Sequence, residues 1–425
     1  MGTRKGGDAV RRWGWVRWAA AALGALVVSG AGVGYWYLHS AAVAETVKVH
    51  TNPGPFHNAV TILLLGNALS IINNQDVTNP YVRDRTDTMM LVSYNLKTHQ
   101  AGVLSIPRDT LVYIPQAHGE TKINEANYFG GPKLAVQLVE QTLHVPVDYY
   151  METTMWNFAK IIDTIGGLTV DVTQPMNYGG TGNFLDIHLK PGVQHLDGQQ
   201  VLEYVRFRAE PLGDIGRIQQ QQYIVKLILQ KMLRPSEIPQ LPTVIRMLRK
   251  DIVYTNLTTA QMIDLGLMAR NLNLKTVRYA TIPGHPVQRV DPYMHQTLDY
   301  WVADQRLIPL LVDEVLLDRP LTAADRQTVH IVVRSGTQSL QPAQAVADWL
   351  RSQGFTVSAV VWANHHHHTA STVLDFTGDK YLAHRIAQAL GPDTTVVESP
   401  YHDVPGVDMT ITVGQDLKLN SQAHA

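Results

Sequence analysis

The spacing of hydrophobic positions changes from segment to segment, and each spacing predicts an element. Trp18–Leu38 (WAAAALGALVVSGAGVGYWYL) carries no charge. At about 1.5 Å rise per residue, a helix of that length crosses the ~30 Å hydrocarbon core of a bilayer. Val60–Leu65 (VTILLL) is a continuous apolar run, the pattern of a strand buried on both faces. Thr88–Tyr94 and Gly102–Ile106 read as two more strands, joined by the polar turn Asn95–Gln100. Pro132 opens a helix running to about His144. Thr154–Ile165 forms another, closed by Gly166 and Gly167 before a strand at Leu168–Val172. Asp197 and Gln200 have capping-box spacing at the start of a short helix. Ile218–Leu233 predicts a long helix ended by Pro235, and Pro242–Lys250, Thr259–Asn271 and His295–Leu317 predict three more. Strands alternating with helices give an α/β class, with a mixed central sheet flanked by helices.

A second unit begins near Asp325. Its predicted order is strand Thr328–Val333, helix Pro342–Ser352, strands Thr356–Trp362 and Thr372–Phe376, helix Lys380–Leu390, then strands Thr395–Glu398 and Met409–Val413. This βαββαβ pattern with an extra strand predicts a small α+β, ferredoxin-like unit. The chain therefore divides into a basic segment (1–17), a transmembrane helix (18–38), a linker (39–57) broken by Asn52, Pro53, Gly54 and Pro55, an α/β domain (58–317) and a C-terminal unit (326–417).

Composition sharpens this picture in three ways. Arg4, Lys5, Arg11, Arg12 and Arg17 stand against Asp8 alone before the apolar run, which keeps that flank cytoplasmic and places the rest of the chain outside the cell membrane. Trp13, Trp15 and Trp18 at one edge and Tyr35, Trp36 and Tyr37 at the other suit an aromatic belt, and favour a retained anchor over a cleaved leader. The net charge of −1 disfavours nucleic acid as a partner, and the absence of cysteine excludes disulfides, thiol nucleophiles and Cys-ligated metal centres.

Four polar clusters could carry chemistry. Arg83–Thr88 (RDRTDT) precedes a strand, where acids can hold Mg²⁺ with phosphate oxygens completing its shell, or can simply form a solvated loop. Ser105–Asp109 (SIPRD) ends a strand, where Arg108 presents a planar fork to phosphate or pairs with Asp109. Tyr204–Arg208 (YVRFR), if extended, puts Arg206 and Arg208 on one side, which suits a bound anion. Asp214–Gln222 (DIGRIQQQQ) places Arg217 and Gln221 on one face of a helix start, an anion site or part of a polar glutamine stripe. His365–His368 reads as a loop, and no Gly-rich phosphate loop, nucleophile elbow or HExxH motif occurs.

Taken in order, LLLG at Leu63–Gly66, RTDTMMLVSYN at Arg85–Asn95, SIPRDTLVYIP at Ser105–Pro115, KINEANYFGG at Lys122–Gly131, DTIGGLTVDV at Asp163–Val172, LDGQQVLEYVRFR at Leu196–Arg208 and DIGRIQQQQ at Asp214–Gln222 resemble the LytR-CpsA-Psr family of Gram-positive bacteria. The last unit resembles the LytR C-terminal domain through VVRSG at Val332–Gly336, LRSQGF at Leu350–Phe355 and VGQDL at Val413–Leu417. The resemblance implies a phosphotransferase. Its substrate would be an anionic glycopolymer, teichoic acid or capsule-like, on undecaprenyl pyrophosphate. The product would be a phosphodiester to peptidoglycan, and the lipid would occupy an apolar tunnel. By that resemblance Asp87 would help hold Mg²⁺. Arg85, Arg108, Lys122, Arg206, Arg208, Arg217 and Gln221 would grip the pyrophosphate. Asp109 and Asp214 would orient arginines, one of them assisting deprotonation of the acceptor. The C-terminal unit would meet cell-wall synthesis proteins. Two positions depart from the family: Ala68 stands where an Asp is usual, with Asp76 or Asp84 as possible substitutes, and Gln220 stands where Arg is common. The alternatives are a non-catalytic polyprenyl-phosphate binder and a pyrophosphohydrolase of the same lipid.

Overall fold

The computed structural model describes residues 59–67, 84–117, 119–179, 186–207, 213–292, 295–399 and 406–422, with the side chains of 213–215 excepted. The predicted membrane helix and linker lie outside these, as do Ala68, Asp76, Arg208 and the side chain of Asp214. No helix among the described residues is long and apolar enough to cross a membrane.

The first unit is built on a six-stranded sheet. Its strands are β1 (Ala59–Asn67), β2 (Thr86–Asn95), β3 (Ala101–Ser105), β4 (Tyr149–Thr154), β5 (Tyr254–Thr255) and β6 (Arg278–Thr281), in the spatial order β5-β4-β1-β2-β3-β6. β1 runs antiparallel to β2 and parallel to β4, so the sheet is mixed. Period-two geometry divides β1 between two environments. Leu63 and Leu65 enter the main core, while Ile62 and Leu64 face a cavity. Both faces are covered, hence the unbroken apolar run.

The cavity face is covered by α2 (Met155–Thr164), α3 (Gly198–Arg206), α4 (Gly213–Met232), α5 (Leu241–Leu248) and α6 (Thr259–Met268); α1 (Glu125–Leu143) packs on the other. α1 is longer than predicted, because a first turn from Glu125 precedes Pro132. Gly131, at φ 70 and ψ −167, breaks the helix between the two parts. The α2 turn closes on Gly166 and Gly167 at φ +78 and +69. A Cβ at Gly198 would stand 2.0 Å from the Ala159 carbonyl oxygen, so that glycine is what lets α3 meet α2. The Asp197–Gln200 capping box forms.

Three expectations are corrected. The predicted helix His295–Leu317 is a strand at Thr297–Ala303, paired with Gly284–Val290, followed by short helical turns over Ile308–Leu316. Its β-branched and aromatic residues took the cross-strand pairing that a purely apolar count ignored. Arg206 closes a helix instead of standing in an extended segment. The C-terminal unit comprises β7 (His330–Ser335), α7 (Gln341–Ser352), β8 (Thr356–Trp362), β9 (Thr372–Asp375), α8 (Lys380–Leu390), β10 (Thr395–Glu398) and β11 (Met409–Val413). Its sheet order is β8-β7-β11-β9-β10, with β7–β8 and β9–β10 adjacent and parallel. A ferredoxin-like sheet would split its βαβ units. Here each unit stays intact and β11, buried along its length, enters between them.

The two units share one core, which runs from Leu63 and Leu104 through Leu311 to Ile331 and Ile386. Tyr381 spans the junction: its hydroxyl donates to the Val277 carbonyl (3.2 Å) and accepts from the Tyr279 amide (2.9 Å) on the outer edge of the six-stranded sheet.

Candidate active site

A cavity of ≈ 640 Å³ lies between the sheet and helices α2–α6, within the ordinary range for small-molecule sites. Most of its wall is apolar, supplied by Ile62, Leu64, Met90 and Met151 from the sheet and by Phe158, Ile224 and Ile245 from the helices. Its polar lining gathers at strand and helix ends: Asn67, Asp87, Glu152, Arg206, Arg217 and Gln221.

Backbone hydrogen bonds assemble the charged groups beside it. The β2–β3 ladder extends past Ser105, with Ile106 N donating to Met89 O (2.9 Å), so Arg108 comes alongside Asp87. Asn124 N donates to Arg108 O (3.2 Å), and Ile123 N to Thr110 O (2.8 Å). Trp301 N donates to Asp109 O (2.8 Å), so the strand misread as helix holds this loop. The result is a chain of ion pairs. Arg108 Nη1 lies 2.6 Å from Asp87 Oδ1, Arg108 Nε 3.7 Å from Asp109 Oδ2, and Lys122 Nζ 2.8 Å from Asp109 Oδ1. Lys122 also lies over the Tyr300 ring at 5.7 Å, and the buried Tyr300 hydroxyl donates to Asp291 (2.6 Å). Burial, then the bond to Asp291, raises the Tyr300 pKa well above its usual range.

Arg85 pairs with Glu125 at 2.5 Å. Burial raises the Glu125 pKa, with Arg85 opposing. Glu125 Oε2 has no partner among the described residues. Glu152, 1% exposed, accepts from Asn67 and from Asn127 (3.2 Å), and the same Asn127 amide donates to the Asp84 carbonyl (2.8 Å). This Asn67–Glu152–Asn127 set fixes the backbone leading into Asp87. Sequence reading missed all of it, although Asn124, Glu125 and Asn127 interrupt an otherwise apolar stretch in KINEANYFGG and were the available signal.

Helix α4 supplies the opposite wall. Its four consecutive glutamines point around the helix, as 100° steps require, and do not form a stripe. Gln219 Nε2 donates to Glu398 (3.2 Å) in the C-terminal unit. The Gln220 amide nitrogen, oriented as its neighbours require, donates to Tyr204 O (3.1 Å) and Phe207 O (2.9 Å) at the end of α3. Gln221 lines the cavity, and Gln222 donates to Ser105 Oγ and Ala280 O, both at 2.9 Å. Gln220, the departure from the common Arg, therefore ties down the helix end that carries Arg206. Arg217, 5% exposed, lies in the first turns of the same helix. Asp87, Arg108, Asp109 and Lys122 thus form one group, Arg85 joins Glu125, and Arg206, Arg217 and Gln221 meet across the cavity.

Residues 36–312 match the model of the LytR_cpsA_psr family, and residues 328–417 match the one described as LytR cell envelope-related transcriptional attenuator. The chain belongs to the LytR_cpsA_psr family. It is 32% identical over 301 residues to the polyisoprenyl-teichoic acid–peptidoglycan teichoic acid transferase TagU of Bacillus cereus, covering 68% of this chain and 92% of that protein. It is 33% identical over 261 residues to TagU of Bacillus mycoides, covering 61% of this chain and 77% of that one. An uncharacterized Staphylococcus aureus protein is 34% identical over 230 residues, and the chain spans 55% of its length. The crystal structure of Bacillus subtilis TagV superposes with a TM-score of 0.51 at 25% identity, covering 62% of this chain and 99% of that one. A Streptococcus agalactiae protein superposes at 0.53 and 22% identity, a likeness of fold.

Within this family site, the donors for a hard cation are few. No group of three or more acidic or histidine side chains suited to a metal occurs among the described residues. Among the described residues Asp87 and Glu152 are the carboxylates that line the cavity; Arg108 takes Oδ1 of Asp87, while Glu152 is buried among amide donors. Asp84, the proposed substitute for the missing acid, accepts the Arg85 amide at 2.7 Å. One carboxylate suits Mg²⁺ that takes the rest of its shell from substrate phosphates and water.

Proposed function

We propose that this chain transfers an anionic glycopolymer from a polyprenyl pyrophosphate to peptidoglycan; its TagU relatives are named polyisoprenyl-teichoic acid–peptidoglycan teichoic acid transferases. As a family member with relatives named transferases, it is an enzyme of the transferase class. The observation that carries the substrate reading is the cavity itself, apolar along its walls and cationic where Arg206 and Arg217 meet Asp87. A single ligand with a hydrocarbon body and a phosphate head matches both parts.

In the proposed reaction the acceptor hydroxyl oxygen forms a bond to the phosphorus bearing the glycan. The bridging P–O bond breaks, the electron pair leaves on polyprenyl phosphate, and the acceptor's hydroxyl proton passes to a carboxylate of the cluster such as Asp109 and from there to solvent. Such a step needs positioning and neutralisation of charge more than covalent help. Arg206 and Arg217 neutralise the pyrophosphate from the helix wall. Arg108, aligned by Asp87 and Asp109, reaches it from the sheet, and Lys122 is held by Asp109 beside it. Asp87 would hold Mg²⁺, which supplies charge neutralisation on the phosphate oxygens when bound. Gln221 lines the same cavity, and its amide would donate to a phosphate oxygen there.

The test is a transfer assay with the full chain, a short glycan on polyprenyl pyrophosphate, an uncrosslinked peptidoglycan oligomer and Mg²⁺. The expected result is a phosphodiester-linked product, with Asp87→Asn needing more Mg²⁺ for half-maximal rate. Release of free glycan would instead establish a pyrophosphohydrolase, and lipid binding without any product would establish a binder.

A further inference from the structure

Helices α2 and α5 are each a wall of the cavity and a piece of molecular surface. Met155, Phe158 and Ile161 of α2, and Ile245 and Leu248 of α5, face inward. The outward positions of the same helices carry two large apolar side chains, Trp156 at 42% and Met247 at 50% exposure. Four cations lie on the same and adjoining elements: Lys160 on α2, Arg246 on α5, and Arg249 and Lys250 in the turn that follows α5 and packs against α2. None of these four has a carboxylate partner among the described residues; Arg249 reaches only the Ile252 carbonyl, at 3.5 Å. Of the nearby acids, Asp251 is buried, and the exposed Asp163 on α2 is engaged by the Gly198 amide (2.7 Å). Exposed apolar side chains accompanied by unpaired cations are the chemistry of a surface that lies in the headgroup region of anionic lipid. The long cationic side chains reach headgroups while Trp156 and Met247 sit at the acyl boundary.

We propose that the outer face of α2 and α5 rests on an anionic lipid surface, so that one helix thickness separates the leaflet from the apolar cavity. The lipid entry this implies rests on the proposed transferase reading, whereas the membrane contact itself does not. An isolated anionic ligand would engage the cations and leave Trp156 and Met247 in water. A bilayer engages both.

The absence of cysteine makes the test direct. Met247→Cys in the full chain, labelled with an environment-sensitive fluorophore, is placed in nanodiscs of phosphatidylglycerol or of phosphatidylcholine. A probe at Gln344→Cys, exposed on α7, serves as reference. The expected result is a blue-shifted emission and at least fivefold protection from iodide at position 247 in phosphatidylglycerol only, with no change at 344. Adding Arg246→Glu and Lys250→Glu should abolish the shift. A probe at 247 as accessible as that at 344 would overturn the proposal. So would an equal shift in both lipids, because charge would then play no part. Neither readout depends on transfer, so failure of the transfer assay leaves this proposal standing or falling alone.

Discussion

Two charged clusters in this molecule are built from the same residue types and do opposite things. Where the two units meet, the Arg385 guanidinium takes both oxygens of the buried Glu314, and Arg278 pairs with Asp318 at 2.9 Å. Arg306 grips Asp408 through two bonds of 2.9 and 2.6 Å. Acids are in excess there. Burial, and then the neighbouring Glu314 charge, raises the Asp379 pKa well above the carboxylate range, so Asp379 holds a proton against Glu314. Burial works to raise Glu314 too, but Arg385 overrides it and keeps Glu314 ionised. In the cavity site the part-exposed Asp87 and Asp109 share Arg108 and Lys122, and Arg206 and Arg217 line the same cavity. The first cluster is internally neutralised and fastens two units together. The second, on the proposed reading, receives the charged head of a ligand.

That contrast is broken most sharply by Arg108→Ala. Transfer should fall by about 10²–10³-fold, as for loss of one preorganised donor, while the thermal midpoint stays near the wild-type value. Unfolding in place of simple inactivation would mean the site cluster is structural too. Glu314→Ala should do the reverse. It strands Arg385 and costs about 3 kcal/mol in chemical denaturation, with normal transfer per folded molecule.

A pH experiment separates the regions further. Burial raises the Asp375 pKa from 3.8 to about 6, so the folded state favours its protonated form. Its contribution to stability is therefore full below pH 3.8, declines as pH rises towards 6, and is constant above. Asp375→Asn keeps the acceptor for the Thr377 amide and hydroxyl, and should gain about 2–3 kcal/mol at pH 7 and almost nothing at pH 3.5. The smallest effect is expected from Tyr381→Phe, which removes one hydroxyl with two partners, at about 1 kcal/mol.

How much of this was legible in the sequence follows from the range of the forces involved. Local signals carried well. The capping box at Asp197, the glycines after α2 and the apolar run of β1 all formed as read, because each depends on a few neighbouring residues. Spatial order did not carry. The chain order βαββαβ is the same whether the units are split or intact, and only the burial of β11 on both faces settles that it is central. In the site, Arg85, Asp87, Arg108 and Asp109 stood out because charges beside strands are conspicuous, whereas Lys122 came only from the family resemblance. Glu152, Asn67 and Asn127 did not, since single polar residues inside elements look like ordinary surface positions until the fold buries them. The glutamine run was visible, but its four separate destinations were not.

The hydroxyl of Tyr381 has a consequence for what a shortened chain would be. β6 ends the six-stranded sheet, and its outer row of amides and carbonyls is occupied at Val277 and Tyr279 by this one side chain from the C-terminal unit. Remove that unit and the row is bare, flat and ready to accept a strand from another molecule. Truncation before residue 326 should therefore uncover the four-residue edge Arg278–Thr281, and concentration-dependent association of the shortened chain in size-exclusion chromatography would show that the C-terminal unit guards it.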